Sequence, residues 1–280
     1  MTPGPPHDAL HHYDPGFLSR EDAARLGEWL CTLHPLWEDR RADHRPLRQG
    51  QTRRRLLRPV YWLGSWQFAC LDYYRPPLGL TDRCVKAEPF PPWLAARVRE
   101  IEALARRTYS GADLPERWTL NTCLINLYGQ RREGEQWIDS ARVRAHRDFE
   151  PGPVASLSLG ERALLQFVED RYPEPPGAVV AQQWLGDGSL QLMGGPRWKD
   201  GLLHRVDRVE RRSGRHFEFP LLDDFRTRRI NLTFRHVPDE HVVRYAGLAE
   251  QARRDVQRYV ELLAVHSPFF AEELRAADAG

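Results

Sequence analysis

Behind Ser19 the apolar positions Leu26, Trp29, Leu30 and Leu33 recur at helical spacing. Ser19 is placed to cap that run, with Glu21 and Asp22 in the first turn, where the helix dipole favours acids. The spacing predicts a helix over about 20–32. A second stripe, Leu94, Val98, Ile101 and Leu104, follows Pro91 and Pro92 and predicts a helix from Trp93 to about Arg107. Between them PVYWLGSWQFACLDYYRPP is dense in β-formers and aromatics, and Pro76 and Pro77 stop it. From about residue 120 the texture changes to short β-type runs: TCLINLYG, VASLSLG, ALLQFVE, SLQLMGG, LHRVDRV, HFEFPLL and RRINLTFRHV. Gly, Pro and Asp separate most of them, and no helical pattern intervenes. Such a series predicts an antiparallel sandwich or barrel. After Pro238, Leu248, Val256, Val260 and Leu263 return to helical spacing. The pattern as a whole is α+β and β-rich, with helices at both ends packing on a β-core. The supported boundary lies near 115–120, and no internal repeat is visible.

Composition narrows the class. Hydrophobic residues are 41% of the 280, aromatics 10%, with nine tryptophans, so a fully disordered chain is excluded. No apolar run approaches the roughly 18 residues of a membrane span, so no membrane partner is expected. Met1–Asp14 is proline-rich and polar, with no apolar stretch of the secretory kind. Cys31, Cys70, Cys84 and Cys123 form no CxxC pair, so reduced thiols and a cytoplasmic location are expected. The formal charge is +2, yet Lys86 and Lys199 are the only lysines among 41 basic residues. The arginine excess reads either as codon bias or as guanidinium forks that bind phosphates or carboxylates, where lysine is a poor substitute.

Three short segments carry candidate chemistry. Arg229-Ile-Asn-Leu-Thr-Phe-Arg235 alternates with period two, placing Arg229, Asn231, Thr233 and Arg235 on one face and Ile230, Leu232 and Phe234 on the other. That polar face is either a solvated strand surface or a row of donors suited to a dicarboxylate. In His146-Arg-Asp148, residues i and i+2 of a strand or its rim converge on one side. His204 follows 58 residues later. Two histidines and one carboxylate suit a facial triad for non-haem Fe(II), with open positions for co-substrate and oxygen.

Taken in order, CLINLYG (123–129), HRD (146–148), PVASLSLG (153–160), SLQLMGG to His204, and RINLTFR (229–235) resemble the AlkB family of Fe(II)/2-oxoglutarate dioxygenases, which oxidatively demethylate nucleic acids. The phrase YDPGFLSREDAARL is similar to the family's usual lead-in. The resemblance implies a double-stranded β-helix, or jelly roll. It implies a flexible N-terminus over 1–12, helices and a nucleotide-recognition lid over 13–119, a dioxygenase β-core over 120–237 and a helical extension over 238–280, in one integrated unit. By motif position His146, Asp148 and His204 would ligate Fe(II). Asn126, Tyr128 and Arg229 would hold the distal carboxylate of 2-oxoglutarate, and Asn231 and Arg235 its metal-chelating end. Glu150 falls where related enzymes set an acid against the base. With O2, 2-oxoglutarate would be decarboxylated to succinate and CO2 while a substrate C–H is hydroxylated. An N-methyl group would leave as formaldehyde.

The expected partner is DNA or RNA carrying alkylated bases, as in DNA repair, bound by a monomer. A base in a duplex must leave the stack to reach a buried metal. Tyr61, Trp62, Trp66, Phe68, Tyr73 and Tyr74 lie where the lid would fall, beside the arginines of 40–58. Trp66 and Tyr74 are the expected base contacts, the alternative being that these aromatics are sheet core. The chain departs from the family's pattern at 129–145, at 207–225 and in the C-terminal tail. The first is expected as a loop insertion near the metal mouth, the second as a hairpin turning at Ser213-Gly214. Such additions leave open hydroxylation of a small molecule or protein side chain on the same core. A binding module without iron is the remaining class, and the full set of candidate ligands argues against it.

Overall fold

The computed structural model describes residues 11–40, 54–71, 84–171, 174–210 and 217–279. The alternating segments form two antiparallel sheets. The larger runs in the order His11–Asp14, Leu190–Met193, Val154–Gly160, Phe225–Arg235, Thr122–Glu133 and Val60–Leu63, with Gln136–Asp139 hooked onto the Thr122–Glu133 strand. The smaller runs Val179–Leu185, Ala163–Glu169, Leu202–Val209, Val143–His146. From residue 143 onward the chain crosses repeatedly between the two, and spatial neighbours are rarely sequence neighbours. This is the double-stranded β-helix, a jelly roll. Side chains of both sheets meet between them: Val154 and Met193 of the larger pack with Leu165, Phe167 and Leu185 of the smaller.

Period two decides which face of the larger sheet the helices cover. Ile230, Leu232 and Phe234 join Leu157, Leu159, Ile125 and Leu127 in one buried cluster with Leu26 and Leu30 of the helix Arg20–Leu30. The helix Pro92–Thr108 adds Leu94, Val98 and Ile101, and Glu250–Ala264 adds Val256, Val260 and Leu263. Burying each such side chain is worth roughly 1.5–3 kcal/mol. Ser19 accepts from the Asp22 amide at 3.0 Å, as its N-cap position required. The tail is two helices: Ser267 and Pro268 break it, and Ser267 caps Pro268–Asp278.

Several expectations change. His11 and His12 of the expected flexible terminus pair with Met193 and Leu192 as an edge strand. Within 129–145 there is a hairpin rather than a loop: Gln130 to Glu133 pair with Asp139 to Gln136 across Gly134. VVAQQWL is a strand that sequence reading missed, because its outer side chains make no clean alternation. The described part of HFEFPLL, residues 217–222, forms no strand, only a bridge from Phe217 to Thr227. Ser213 and Gly214, the expected turn, lie outside the described residues.

The lid expectation is corrected most. Tyr61, Trp62, Trp66 and Phe68 are core. Trp66 is 0% exposed, packs on Phe68 and Phe270, and gives its indole N–H to Glu38 at 2.9 Å. It presents no face to a base. Val60–Leu63 pairs with the Thr122–Glu133 strand, so its aromatics are enclosed by sheet and helices. Tyr73 and Tyr74 lie outside the described residues.

Candidate active site

The polar face of the Phe225–Arg235 strand is not solvated. Arg229 is 1% exposed, Asn231 7% and Arg235 6%, because this face looks into the space between the sheets. Cross-strand pairing sets Asn126 opposite Asn231 and Tyr128 opposite Arg229, so these four share one face. A register shift between Thr227 and Arg229 brings Arg229 opposite Tyr128. Gly129 makes that possible: a Cβ there would lie 1.8 Å from the Arg226 carbonyl oxygen.

The histidines meet by the same device. His146 and His204 are direct cross-strand partners in the smaller sheet, with ring centroids 4.3 Å apart. Asp148 lies two residues past the end of the Val143–His146 strand and turns its Oδ2 to within 3.6 Å of His204 Nε2. One ligand atom from each of His146, Asp148 and His204 lies within 4.8 Å of the others. His146 Nδ1 donates to the Arg144 carbonyl at 2.8 Å, which leaves its Nε2 lone pair available.

Charge is arranged for a cation. Burial would raise the Asp148 carboxyl, but the Arg235 guanidinium and the two imidazoles hold it well below the usual carboxylate range. Burial first, then His146, push His204 down to about 3, so it is a neutral ligand. Arg235 donates to Asp148 Oδ1 from Nε at 3.0 Å and Nη2 at 2.7 Å. Asp148 Oδ2 is buried and has no hydrogen-bond partner. A buried, orphaned carboxylate oxygen beside two imidazoles fits a divalent metal and little else.

The other end fits a dicarboxylate. Arg229 Nη2 donates to Ser158 Oγ and Asn231 Oδ1, both at 2.9 Å. Its Nε and Nη1 are buried without a partner. Burial pulls its pKa down, opposed by the Tyr128 phenol beside it. A fully buried guanidinium with donors to spare and no carboxylate suits an anionic ligand.

Sequence reading missed part of this wall. Ser156 donates to Asn231 Oδ1 at 2.7 Å, and Asn231 Nδ2 donates to Thr233 Oγ1 at 2.8 Å. The signal was present in VASLSLG, where serines alternate with leucines. Lys199, buried beside the Asp148 loop, carried no signal. Glu150 is buried 3.5 Å from Arg235 Nε, sharing that guanidinium with Asp148. In the arginine run, Arg55 pairs with Asp224 at 2.7 Å, and Arg58 lies 4.8 Å over the Tyr128 ring; residues 41–53 lie outside the described set.

Comparison with known proteins completes the picture. No curated protein matches the chain. Among solved structures it is similar to OsALKBH1, with 20% identity over 81% of this chain and 98% of that one, at a TM-score of 0.47. It is also similar to a bsmA homolog (Mpe_A2762) from Methylobium petroleophilum PM1, with 13% identity over 77% and 81% of the two chains, at a TM-score of 0.32. The family model of the 2OG-Fe(II) oxygenase superfamily matches residues 11–235, a span that contains both sheets and every residue of the site above, and the chain belongs to that superfamily.

Proposed function

We propose that this oxygenase demethylates N-alkylated bases in DNA or RNA, as its resemblance to AlkB-type sequences suggests. As a member of its superfamily it is an enzyme that uses Fe(II), 2-oxoglutarate and O2. Bound together, these supply the oxidising power that turns a substrate C–H into C–OH while 2-oxoglutarate becomes succinate and CO2. The residues divide the remaining work. His146, Asp148 and His204 hold the metal. Arg229, with Asn126 and Tyr128 on the same face, holds the distal carboxylate, and Asn231 and Arg235 orient the chelating end. Ser156, Ser158 and Thr233 fix Asn231 and Arg229 so that their donors point inward. Hydroxylation of an N-methyl group gives a hemiaminal, which releases formaldehyde and restores the base.

The observation that carries the nucleic-acid reading is the mouth of the site. Phe149, between Asp148 and Glu150, is 58% exposed, and Arg142, just before the strand Val143–His146, and Arg144 on it are exposed as well. An exposed aromatic flanked by guanidinium groups suits base stacking with phosphate contact. Phe149 takes the role that Trp66 cannot. One buried cluster unites the helices with the larger sheet, which supports reading the whole as a single catalytic unit.

The test is a panel of methylated DNA and RNA oligonucleotides scored by mass spectrometry, with and without 2-oxoglutarate. Loss of 14 Da per methyl, with about one formaldehyde per succinate, is expected for an N-methyl substrate. Turnover of 2-oxoglutarate with no change in any oligonucleotide would remove the substrate assignment. The second reading, hydroxylation of a small molecule or protein side chain, is favoured by the burial of the four described lid aromatics.

A further inference from the structure

The three candidate metal ligands come from two segments distant in sequence, which the strand ladder joins at His146 and His204 but not at Asp148. His146 and Asp148 belong to one, and His204 enters from the single π-helical turn Pro196–Gly201. Asp148 has left its strand, so no ladder holds its backbone in place. Two side chains bridge the segments in opposite directions. Lys199 Nζ donates to the Asp148 carbonyl at 3.3 Å, and Arg147 Nη2 donates to the Gly201 carbonyl at 3.3 Å. Arg147 is itself anchored, its Nη1 pairing with Asp170 at 2.8 Å.

Lys199 is the more telling of the two. It is one of two lysines in the chain, and only 6% of it is exposed. Burying an ammonium is costly unless it is paired. Its nearest carboxylate, Asp200, is 3.6 Å away and mostly exposed, so the counter-charge is weak. The cost is met at a backbone carbonyl of a residue that offers the metal its carboxylate.

We propose that Lys199 and Arg147 form a two-way clasp that positions Asp148 against His204 and so sets the metal affinity of the site. Both are positioning residues, since neither reaches the ligand atoms. The proposal rests on the metal-centre reading above, and its test separates the two. Mn(II) binding to the full chain is measured for the wild type, His146→Ala, Lys199→Met, Arg147→Met and Lys199→Arg. Lys199→Met and Arg147→Met are expected to weaken Mn(II) binding roughly 10–100-fold, the usual effect of losing an outer partner of a ligand. Lys199→Arg keeps a donor and recovers most of the loss. At saturating Mn(II), 2-oxoglutarate affinity stays near the wild-type value, which a general loss of structure would not allow.

The second readout needs no variant. With acetic anhydride as the probe, exposed Lys86 acylates readily and serves as the internal reference. Mn(II) should slow acylation of Lys199 severalfold and leave Lys86 unchanged. A wild type that binds no Mn(II), or binds it no better than His146→Ala, would overturn the metal-centre reading. Wild-type binding matched within about twofold by both methionine variants, or Lys199 labelling indifferent to Mn(II), would overturn the clasp alone.

Discussion

Asp148 divides its two oxygens between fold and function. Oδ1 accepts two donors from Arg235, while Oδ2 is buried with no donor at all. Replacing His146 and Asp148 together by alanine should abolish metal-dependent release of CO2 from 2-oxoglutarate. Retained turnover would show that the metal sits elsewhere. Arg229 has a different task at the far end of the pocket. Arg229→Ala should raise the 2-oxoglutarate concentration needed for half-saturation by about 10–100-fold, the equivalent of a charge-assisted hydrogen bond of roughly 1.5–3 kcal/mol. Mn(II) affinity should hold, and an equal loss of both would indicate misfolding. Acid acts on the same residues through the fold. His204 is held to about 3, below its ordinary 6.5, so between these values the unfolded chain takes up a proton that the folded one excludes. Asp148 is depressed as well, and its contribution is lost only as pH falls through its own lowered pKa. Both signs agree: without metal, what these two groups contribute to stability falls as pH drops below about 6.5.

Strands and turns decide what those residues can reach. Glu38, just ahead of the two-residue strand Asp39–Arg40, is buried and accepts from Trp66 Nε1 at 2.9 Å and the Ala69 amide at 2.6 Å. Burial, only partly offset by those two donors, raises its pKa to about 7. Here the sign is opposite. The folded state holds a proton that the unfolded state releases above 4.5, so stability is lost as pH rises through about 7. The loss is on the order of 3 kcal/mol by pH 8. Because His204 acts in the opposite sense below about 6.5, the test is a difference: in thermal unfolding from pH 5 to 8 the wild type should lose stability relative to Glu38→Gln as pH rises. An equal slope in both would place the titration on another group. Trp66 belongs to the same contact. Trp66→Ala should cost about 3–5 kcal/mol of folding stability in denaturant titrations. It should leave oligonucleotide affinity of the folded fraction intact, whereas a selective loss of that affinity would return Trp66 to the substrate site.

Over the whole molecule the charges nearly cancel, so attraction for a polyanion has to be local. Arg142, Arg144 and Phe149 are exposed on the segment that carries His146 and Asp148, while other arginines are spent internally, Arg228 on Asp139 and Glu161 for example. The logarithm of the binding constant for a single-stranded oligonucleotide should therefore fall linearly with log salt, with a slope of about −0.7 per phosphate neutralised. Substituting Arg142 and Arg144 together should flatten it, and a slope unmoved by either change would favour the small-molecule or protein substrate. Much of this was legible along the chain. Helical spacing marked Arg20–Leu30 and Pro92–Thr108, and period two marked the two faces of residues 229–235 within the strand Phe225–Arg235. The order of CLINLYG, HRD, His204 and RINLTFR was enough to suggest the chemistry, because a repeating local spacing needs no partner to be read. The rest depended on what packs against what. Alternation separates two faces without saying which meets water, and only the second sheet shows that the Arg229 face is buried. The same holds for the aromatics at 61–68, which composition alone fits equally to a lid or a core. The larger sheet and the helices packed on it settle that choice, since removing those rings from water on every side leaves none for a base. Lys199 is the extreme case. Nothing in its neighbours distinguishes it, and its position is set by a carbonyl 51 residues away in the chain.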